Sequence, residues 1–129
     1  MKKILIIEDE YDTAKVLKKR IEGSGYEVCV AYDSYSGSAS VKKEAPDLVI
    51  LDLMLPAKGG ETVLASMKND ETARDIPVIV VTGITDDKVK KELYEKGVAD
   101  YIEKPYEPEK LMASIRRILK SDNGSTPEQ

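Results

Sequence analysis

The chain has 129 residues, of which 41% are hydrophobic, a size that suits one ordinary globular domain and is too short for two of typical size. Its net charge is −4, and its acidic and basic residues are interleaved without the basic stripe that nucleic-acid phosphates require, so direct nucleic-acid binding is not expected. It has no histidine, which excludes His-based catalytic triads, His metal sites and a phosphohistidine carrier.

The single cysteine and the N-terminal segment indicate a cytoplasmic protein. Cys29 lies within YEVCVAY, cannot form an intrachain disulfide, and fits as a small core side chain. The opening MKKILIIEDE has too short an apolar run for a signal-peptide core or a membrane span. We therefore expect no contact with a membrane.

The first half of the chain alternates between strand and helix patterns. Residues 3–8 are an apolar run, and a helix predicted from about residue 12 ends at the glycines of residues 23–25. Residues 26–32 alternate as a strand, and a serine-rich helix is predicted over 33–44. Residues 47–52, DLVILD, are nearly all apolar, as expected of a central parallel strand covered on both faces.

The second half continues the same alternation. A helix is predicted over 60–68, a strand over 76–82 and a helix over 86–96. A short strand over 99–103 follows, and then a helix over 107–120 with a wide apolar face.

Strict alternation of strands and helices predicts an α/β fold of the doubly wound class, with a parallel sheet and helices on both faces. Five units favour a single (βα)5 domain with the flavodoxin-like strand order 2-1-3-4-5. This domain is predicted to cover residues 1–120, with 121–129 a disordered tail or the start of a linker. In such sheets ligands bind beyond the carboxyl ends of the strands, where strands 1 and 3 are neighbours.

Charged and hydroxyl side chains stand at that edge of the predicted sheet. Glu8 and Asp9 follow the first strand, Asp52 ends the third, Thr82 ends the fourth, and Lys104 follows the fifth. Taken singly, each fits a plain structural role such as an acidic helix cap. Together, three carboxylates crowded at one edge are costly unless a cation joins them. Oxygen ligands favour a hard cation, Mg²⁺ with Mn²⁺ as the alternative.

Charge balance indicates the chemistry. Three carboxylates balanced by a divalent cation and the Lys104 ammonium leave a nearly neutral pocket that accepts one anion, and phosphate is the evident one. Catalysis of phosphoryl transfer is mainly positioning and neutralisation of phosphoryl oxygens, which a metal, a lysine and a hydroxyl supply together. Asp52 would be the in-line nucleophile and would form an acyl phosphate.

Four segments resemble, in type and order, the signatures of response regulator receiver domains over residues 2–120: ILIIEDE, LVILDLMLP followed by Gly60, VIVVTG and DYIEKP. The resemblance implies a signalling switch that catalyses only its own phosphorylation and dephosphorylation. Asp52 would take a phosphoryl group from a sensor histidine kinase or a histidine phosphotransfer protein in a Mg²⁺-dependent reaction. The output partner is left unknown.

The resemblance also implies a role for each residue. Asp9 and Asp52 would bind the metal directly, Glu8 would act through a water, and the backbone carbonyl of Met54 would complete the metal shell. Thr82 would bind one phosphoryl oxygen and Lys104 another.

Tyr101 occupies the aromatic switch position of the family, and the signal would be read on the fourth helix, fifth strand and fifth helix. The alternative is a strand tyrosine with its hydroxyl in water. Tyr106 is interpreted as an exposed loop residue, with a second partner contact on this surface as the alternative. The family also has a cis peptide before the proline of the Lys104-Pro105 pair.

Two departures from the family pattern bear on output and lifetime. Receivers of winged-helix regulators commonly have an Asp pair before the tyrosine and an Arg in the fifth helix for dimer contacts, whereas this chain has Ala99-Asp100 and Ser114. A monomer or a weak, phosphorylation-dependent dimer is therefore expected. Met54 and Ile84 are apolar and sizeable, which predicts a shielded, long-lived acyl phosphate.

Alternative functions remain open. The chain is either a stand-alone receiver or a receiver excised from a longer regulator with an effector domain, such as a DNA-binding one. A haloacid-dehalogenase-type phosphatase would need a second Asp two residues after the nucleophile, where this chain has Met54. A flavin carrier would need a Ser/Thr/Gly phosphate loop where this chain has EDEYD. Both are disfavoured.

Overall fold

A computed structural model describes residues 1–84 and 86–122 of the chain. In this part of the chain, five strands alternate with five α-helices. The strands are β1 (Lys3–Ile7), β2 (Glu27–Ala31), β3 (Leu48–Asp52), β4 (Val78–Thr82) and β5 (Asp100–Glu103). The helices are α1 (Tyr11–Gly23), α2 (Ser34–Glu44), α3 (Gly59–Lys68), α4 (Asp87–Glu95) and α5 (Pro108–Asp122).

All strand pairs are parallel, and the order across the sheet is β2-β1-β3-β4-β5. Ile7 pairs with Leu51, and Asp52 pairs with Val81, so β1, β3 and β4 end at nearly the same level. The predicted doubly wound class and strand order are confirmed. The polar residues that follow these strands are thereby brought to one edge of the sheet.

The sheet has an apolar cluster on each face. One cluster joins alternate residues of the strands to α2, α3 and α4, and it includes Val41, Leu64 and Leu93. The other joins the remaining strand residues to α1 and α5, and it includes Ile21 and Ile115. Because both faces of the central strands are covered, all five residues of β3 and of β4 are buried, which explains their nearly continuous apolar sequences.

Helix caps set several boundaries one residue away from the predicted ones. Asp33 accepts a hydrogen bond from the Ser36 N–H at 2.7 Å, and Asp86 accepts one from the Lys88 N–H at 2.8 Å. Both aspartates therefore lie just outside their helices as N-caps. At the other end of the chain, α5 includes residues 121 and 122, which were predicted to begin the tail. The rest of that predicted tail lies outside the described residues.

A short 3₁₀ helix, Pro56–Lys58, lies between β3 and α3 and was not predicted. Its chain reversal uses positive φ angles at Ala57 (56°) and Lys58 (59°). The following helix approaches the loop after β3 closely, since a Cβ atom at Gly60 would lie 2.5 Å from the Leu53 carbonyl oxygen. Glycine at this position thus lets α3 pack against the loop that leaves Asp52.

In the part of the chain described here, none of the helices combines the length and the apolar character that a bilayer span requires.

Candidate functional site

Three carboxylates meet where β1 and β3 end side by side. Glu8 and Asp9 follow β1, and Asp52 is the last residue of β3. One carboxylate oxygen from each of the three lies within 4.8 Å of the others. We call these three residues the acidic cluster. The convergence predicted from the strand order is therefore present.

The acidic cluster is partly buried. Glu8 and Asp52 are 7% and 6% exposed, whereas Asp9 is exposed to solvent. The pKa of the Glu8 carboxyl is raised, mainly by burial and further by repulsion from Asp52. A hydrogen bond from the Glu10 N–H lowers this pKa but does not cancel the rise. The cluster therefore has an excess of negative charge that a cation would relieve, and its all-oxygen donor set fits a hard divalent ion.

Lys104 supplies a positive charge to the same place. Its Nζ lies 3.3 Å from Asp52 Oδ2 and 3.5 Å from Glu8 Oε1. Although burial, the strongest single influence, lowers the pKa of Lys104, the two carboxylates together raise it. The side chain is therefore an ammonium ion at neutral pH. The Lys104-Pro105 peptide is cis, as the family resemblance implied.

The backbone after β3 holds the other oxygen of Asp52. The Met54 N–H donates a hydrogen bond to Asp52 Oδ1 at 2.9 Å. The two carboxylate oxygens thus have different partners, a backbone N–H on one side and Lys104 on the other. The metal contact predicted for the Met54 carbonyl stays a prediction.

Thr82 is fully buried at the end of β4. Its hydroxyl oxygen accepts a hydrogen bond from the Ile84 N–H at 3.1 Å. Within the described part of the chain, the Thr82 hydroxyl has no hydrogen bond to the acidic cluster or to the Lys104 side chain, although the Lys104 N–H donates a backbone hydrogen bond to the Thr82 carbonyl at 2.8 Å. Its predicted contact with a phosphoryl oxygen therefore stays a prediction.

Tyr101 lies inside the protein. It lies in β5, where it pairs with Val80 of β4 and is 5% exposed. Its hydroxyl donates a hydrogen bond to the Ile84 carbonyl. The alternative of a hydroxyl in water is wrong for this structure. Because Thr82 and Tyr101 bond to the N–H and the carbonyl of one residue, the loop after β4 connects the two predicted switch residues.

A family model described as response regulator receiver domain matches residues 4–116 of the chain. The chain belongs to this family. The recognition made from the four sequence segments is confirmed.

Two relatives of this receiver domain are transcriptional regulators. The DNA-binding dual master transcriptional regulator RpaA of Synechocystis sp. is 36% identical over 120 residues, covering 93% of this chain and 50% of RpaA. The phosphate regulon transcriptional regulatory protein PhoB of Pseudomonas aeruginosa is 34% identical over 119 residues, covering 92% of this chain and 52% of PhoB. The chain thus spans about half the length of these relatives.

A solved receiver-domain structure has the same fold as this chain. The non-phosphorylated HemR receiver domain from Leptospira biflexa has a TM-score of 0.87 and 26% sequence identity, and the match covers 100% of both chains.

Three residues of this receiver domain's site were missed or misjudged from the sequence. Thr13 and Leu17 of α1 and Tyr106 of the β5–α5 loop line a small pocket together with Glu8, Asp52 and Lys104. Tyr106 is half-buried and packs against the apolar cluster shared with α1 and α5, so its interpretation as an exposed loop residue is wrong. An aromatic residue in the segment KPYEPEK, whose other residues are charged or proline, was the available signal.

An open apolar groove adjoins this pocket. It lies between α1 and the start of α5, and Val16, Leu17, Tyr106 and Pro108 contribute its apolar lining. Val16 is 68% exposed and so presents an apolar side chain to solvent in this groove. Leu17 and Tyr106 line both the groove and the pocket at Asp52.

Proposed function

We propose that this receiver domain is switched by phosphorylation of Asp52. The main support for this proposal is the environment of the Asp52 carboxylate. This group is nearly buried, accepts a hydrogen bond from the Met54 N–H, and lies between Lys104 and the other two acids. A carboxylate held in one orientation beside a lysine is suited to in-line attack on a phosphoryl group. Two-component signalling is the function that family membership supports.

The phosphodonor is proposed to be a phosphohistidine of a sensor kinase or of a histidine phosphotransfer protein. An Asp52 oxygen attacks phosphorus, the P–N bond to the donor imidazole breaks, and the nitrogen leaves with the bonding electron pair. The products are an acyl phosphate on Asp52 and an imidazole that takes a proton from solvent. Lys104 would pair with one phosphoryl oxygen, and the Thr82 hydroxyl with another.

Mg²⁺, with Mn²⁺ as the alternative, is the proposed cofactor. Asp9, Asp52 and the Met54 carbonyl would hold the ion directly, and Glu8 through a water. Carboxylate and carbonyl oxygens are the donors that these ions prefer. When bound, the ion supplies positive charge that offsets the carboxylates and the phosphoryl oxygens.

The groove between α1 and α5 is the proposed docking place of the donor protein. Because Leu17 and Tyr106 line both the groove and the pocket at Asp52, a donor that reaches Asp52 from this side would lie on the groove. The exposed Val16 side chain offers apolar surface to be buried in such a complex.

The output is proposed to use the connection through Ile84. If the Thr82 hydroxyl turns toward a phosphoryl group, the hydrogen bond that it accepts from the Ile84 N–H must change. The loop after β4, whose Ile84 carbonyl accepts the Tyr101 hydroxyl, would then change conformation. The surface altered would be α4, β5 and α5. We propose residues 1–120 as the receiver unit, followed by a tail or by a linker to an effector domain, as the length of RpaA and PhoB suggests.

The test is phosphorylation by acetyl phosphate in Mg²⁺, followed by intact-mass measurement. Wild type should gain one phosphoryl group, and EDTA should prevent the gain. Asp52→Asn should gain none, whereas the matched control Asp33→Asn, which alters an exposed helix cap, should behave as wild type. Modification of Asp52→Asn at the wild-type level would contradict the assignment.

A further inference from the structure

A second groove lies on the other side of α1, between that helix and the β2 edge of the sheet. Its lining includes three lysines of α1 and two tyrosines: Lys15, Lys18, Lys19, Tyr11 and Tyr32. Val30 of β2 forms part of its floor, and Glu22 is its one acidic residue. We call it the lysine groove. It is a basic surface on a chain whose net charge is −4.

The three lysines have no anionic partner in the described part of the chain. Lys15 and Lys19 are one helical turn apart, a spacing at which like charges destabilise a helix by about 0.2–0.5 kcal/mol. Lys18 is four residues before Glu22 but forms no ion pair with it. An incoming anion would therefore remove repulsion without breaking an existing ion pair.

The β2 edge offers backbone hydrogen-bonding groups to the same groove. The Glu27 N–H donates to the Lys2 carbonyl, and the Ala31 carbonyl accepts from the Glu8 N–H, so residues 27, 29 and 31 face β1. The backbone groups of Val28 and Val30 alternate with these and point to the open edge. β2 is a terminal strand, and such an edge is a template for one more strand.

We propose that the lysine groove binds an extended acidic segment of a partner protein, which adds a strand beside β2. Carboxylates at alternate positions of a strand lie about 6.6 Å apart on one face. Lys15 and Lys19 are about 6 Å apart along the helix axis. A Glu-x-Glu segment can thus reach both lysines while its backbone pairs with Val28 and Val30.

Tyr11 and Tyr32 would contact an apolar residue of the same segment. Their ring centroids are 5.5 Å apart, and the two side chains are 60% and 41% exposed. Stacked, exposed aromatic rings at one end of a groove supply the apolar contact that charge pairing alone lacks.

Two other occupants fit less well. A second copy of this chain paired symmetrically at the β2 edge would bring the lysines of both copies to the same interface. A nucleic-acid strand could pair its phosphates with the lysines, but its phosphodiester backbone has no N–H groups for the carbonyls of Val28 and Val30. A peptide backbone satisfies both the charges and the strand edge.

The experiment titrates an acetylated, amidated Glu-Val-Glu-Val-Glu-Val peptide into the ¹⁵N-labelled full chain at low salt. The amide signals of α1 and β2 should shift in a saturable way, most strongly at the N–H groups of Val28 and Val30. A Lys-Val-Lys-Val-Lys-Val peptide should cause no such shifts.

Two variants separate charge from strand pairing. Lys15→Glu with Lys19→Glu should weaken peptide binding at least about tenfold. The matched control, Lys88→Glu with Lys91→Glu, makes the same charge change on exposed lysines of α4. It should change the affinity for the peptide by less than about twofold. Val30→Pro removes an outward N–H without a sheet hydrogen bond, so the sheet should persist while peptide binding is lost.

Four results would overturn the proposal. The first is the absence of shifts in α1 and β2 at millimolar peptide, and the second is equal binding by the Lys15/Lys19 variant. The third is a hexathymidine oligonucleotide that shifts the same amides more strongly than the peptide does, which would assign the groove to a phosphate ligand. The fourth is line broadening at α1 and β2 that grows with protein concentration in the absence of peptide, which would assign the groove to a second copy.

Discussion

The hydroxyl of Tyr101 donates a hydrogen bond to the backbone carbonyl of Ile84, across the space between β5 and the loop after β4. The ring is buried, so Tyr101→Phe should keep the packing and lose only this bond. We expect the free energy of unfolding to fall by about 0.5–1.5 kcal/mol in urea denaturation. The control Tyr35→Phe alters a side chain that is 87% exposed and should change it by less than about 0.5 kcal/mol.

The same substitution tests the connection to Thr82. If the Tyr101 hydroxyl holds the loop, Tyr101→Phe should also speed hydrogen exchange at the Ile84 amide, which bonds to Thr82 Oγ1. Unchanged exchange together with unchanged stability would mean that the bond does not hold the loop.

Gly60→Ala should destabilise the protein because the new Cβ atom would meet the Leu53 backbone at 2.5 Å. Backbone cannot yield as a flexible side chain does, so we expect a loss of about 1–3 kcal/mol in thermal or urea denaturation. Gly23→Ala is the matched control, since a Cβ atom there meets nothing within 4 Å. An equal effect of the two substitutions would show that helix propensity, rather than close approach, decides the result.

Asp100 gives the stability a defined pH dependence. Burial, the largest single influence, raises the pKa of its carboxyl, but hydrogen bonds from Ser114 and the Tyr101 N–H and the ion pair with Arg117 together lower it. A carboxyl whose pKa is lower in the folded than in the unfolded chain stabilises the fold above the unfolded pKa. This contribution is lost as the pH falls through the folded pKa.

Asp100→Asn should therefore cost about 1–3 kcal/mol at pH 7, and the cost should shrink as the pH falls below about 4. Urea denaturation at several pH values measures the loss of stability at pH 7 and its decrease at lower pH. Asp75→Asn, at an exposed position, is the control and should cost less than about 0.5 kcal/mol at pH 7. A cost for Asp100→Asn that stays constant down to acidic pH would point to lost packing instead of lost charge.

The strands and the acidic cluster could be predicted because they depend on local pattern and strand order. The sequences of β3 and β4 are apolar up to their last residues, Asp52 and Thr82. Parallel strands then bring Glu8 and Asp52 to one edge whatever the helices do. β4 begins at Val78 rather than at the predicted residue 76, since Pro77 has no N–H for the sheet.

The remaining features depend on how separate elements pack. The 3₁₀ helix at Pro56–Lys58 uses positive φ at Ala57 and Lys58, residue types that do not indicate such a turn. Asp100 bonds to Ser114 and Arg117 within its own chain, a contact between β5 and α5 that no local pattern predicts. It gives Asp100 two of its partners within its own chain.

Val16→Arg should distinguish donor docking from chemistry at Asp52. The side chain lies in the apolar groove but not in the pocket at Asp52. Phosphorylation by acetyl phosphate should be unchanged, whereas transfer from a histidine kinase that phosphorylates wild type should slow at least about tenfold. Tyr35→Arg, on exposed α2, is the control for both rates. Equal slowing with both donors would place the defect at Asp52 instead of the groove.

The lifetime of the acyl phosphate should depend on Met54 and Ile84. Met54 is 58% exposed, and a Cβ atom at Gly83 would lie 3.6 Å from its sulfur, so the side chain reaches from the β3 loop to the β4 loop. Ile84, the residue after Gly83, is half-buried. An apolar side chain spanning the two loops limits how water can be held for attack on phosphorus.

Met54→Asn and Ile84→Ser should each shorten the lifetime at least about threefold, a change of roughly 0.7 kcal/mol in the activation barrier. An amide or hydroxyl at these positions can hydrogen-bond a water that the native side chains exclude. Loss of the phosphoryl group, followed by intact mass after removal of acetyl phosphate, gives the rate. Met54→Leu keeps an apolar side chain of similar volume and should match wild type. If neither polar variant changed the lifetime, shielding by these two residues would be refuted. The hydrolysis rate would then be determined by Lys104 and the acidic cluster.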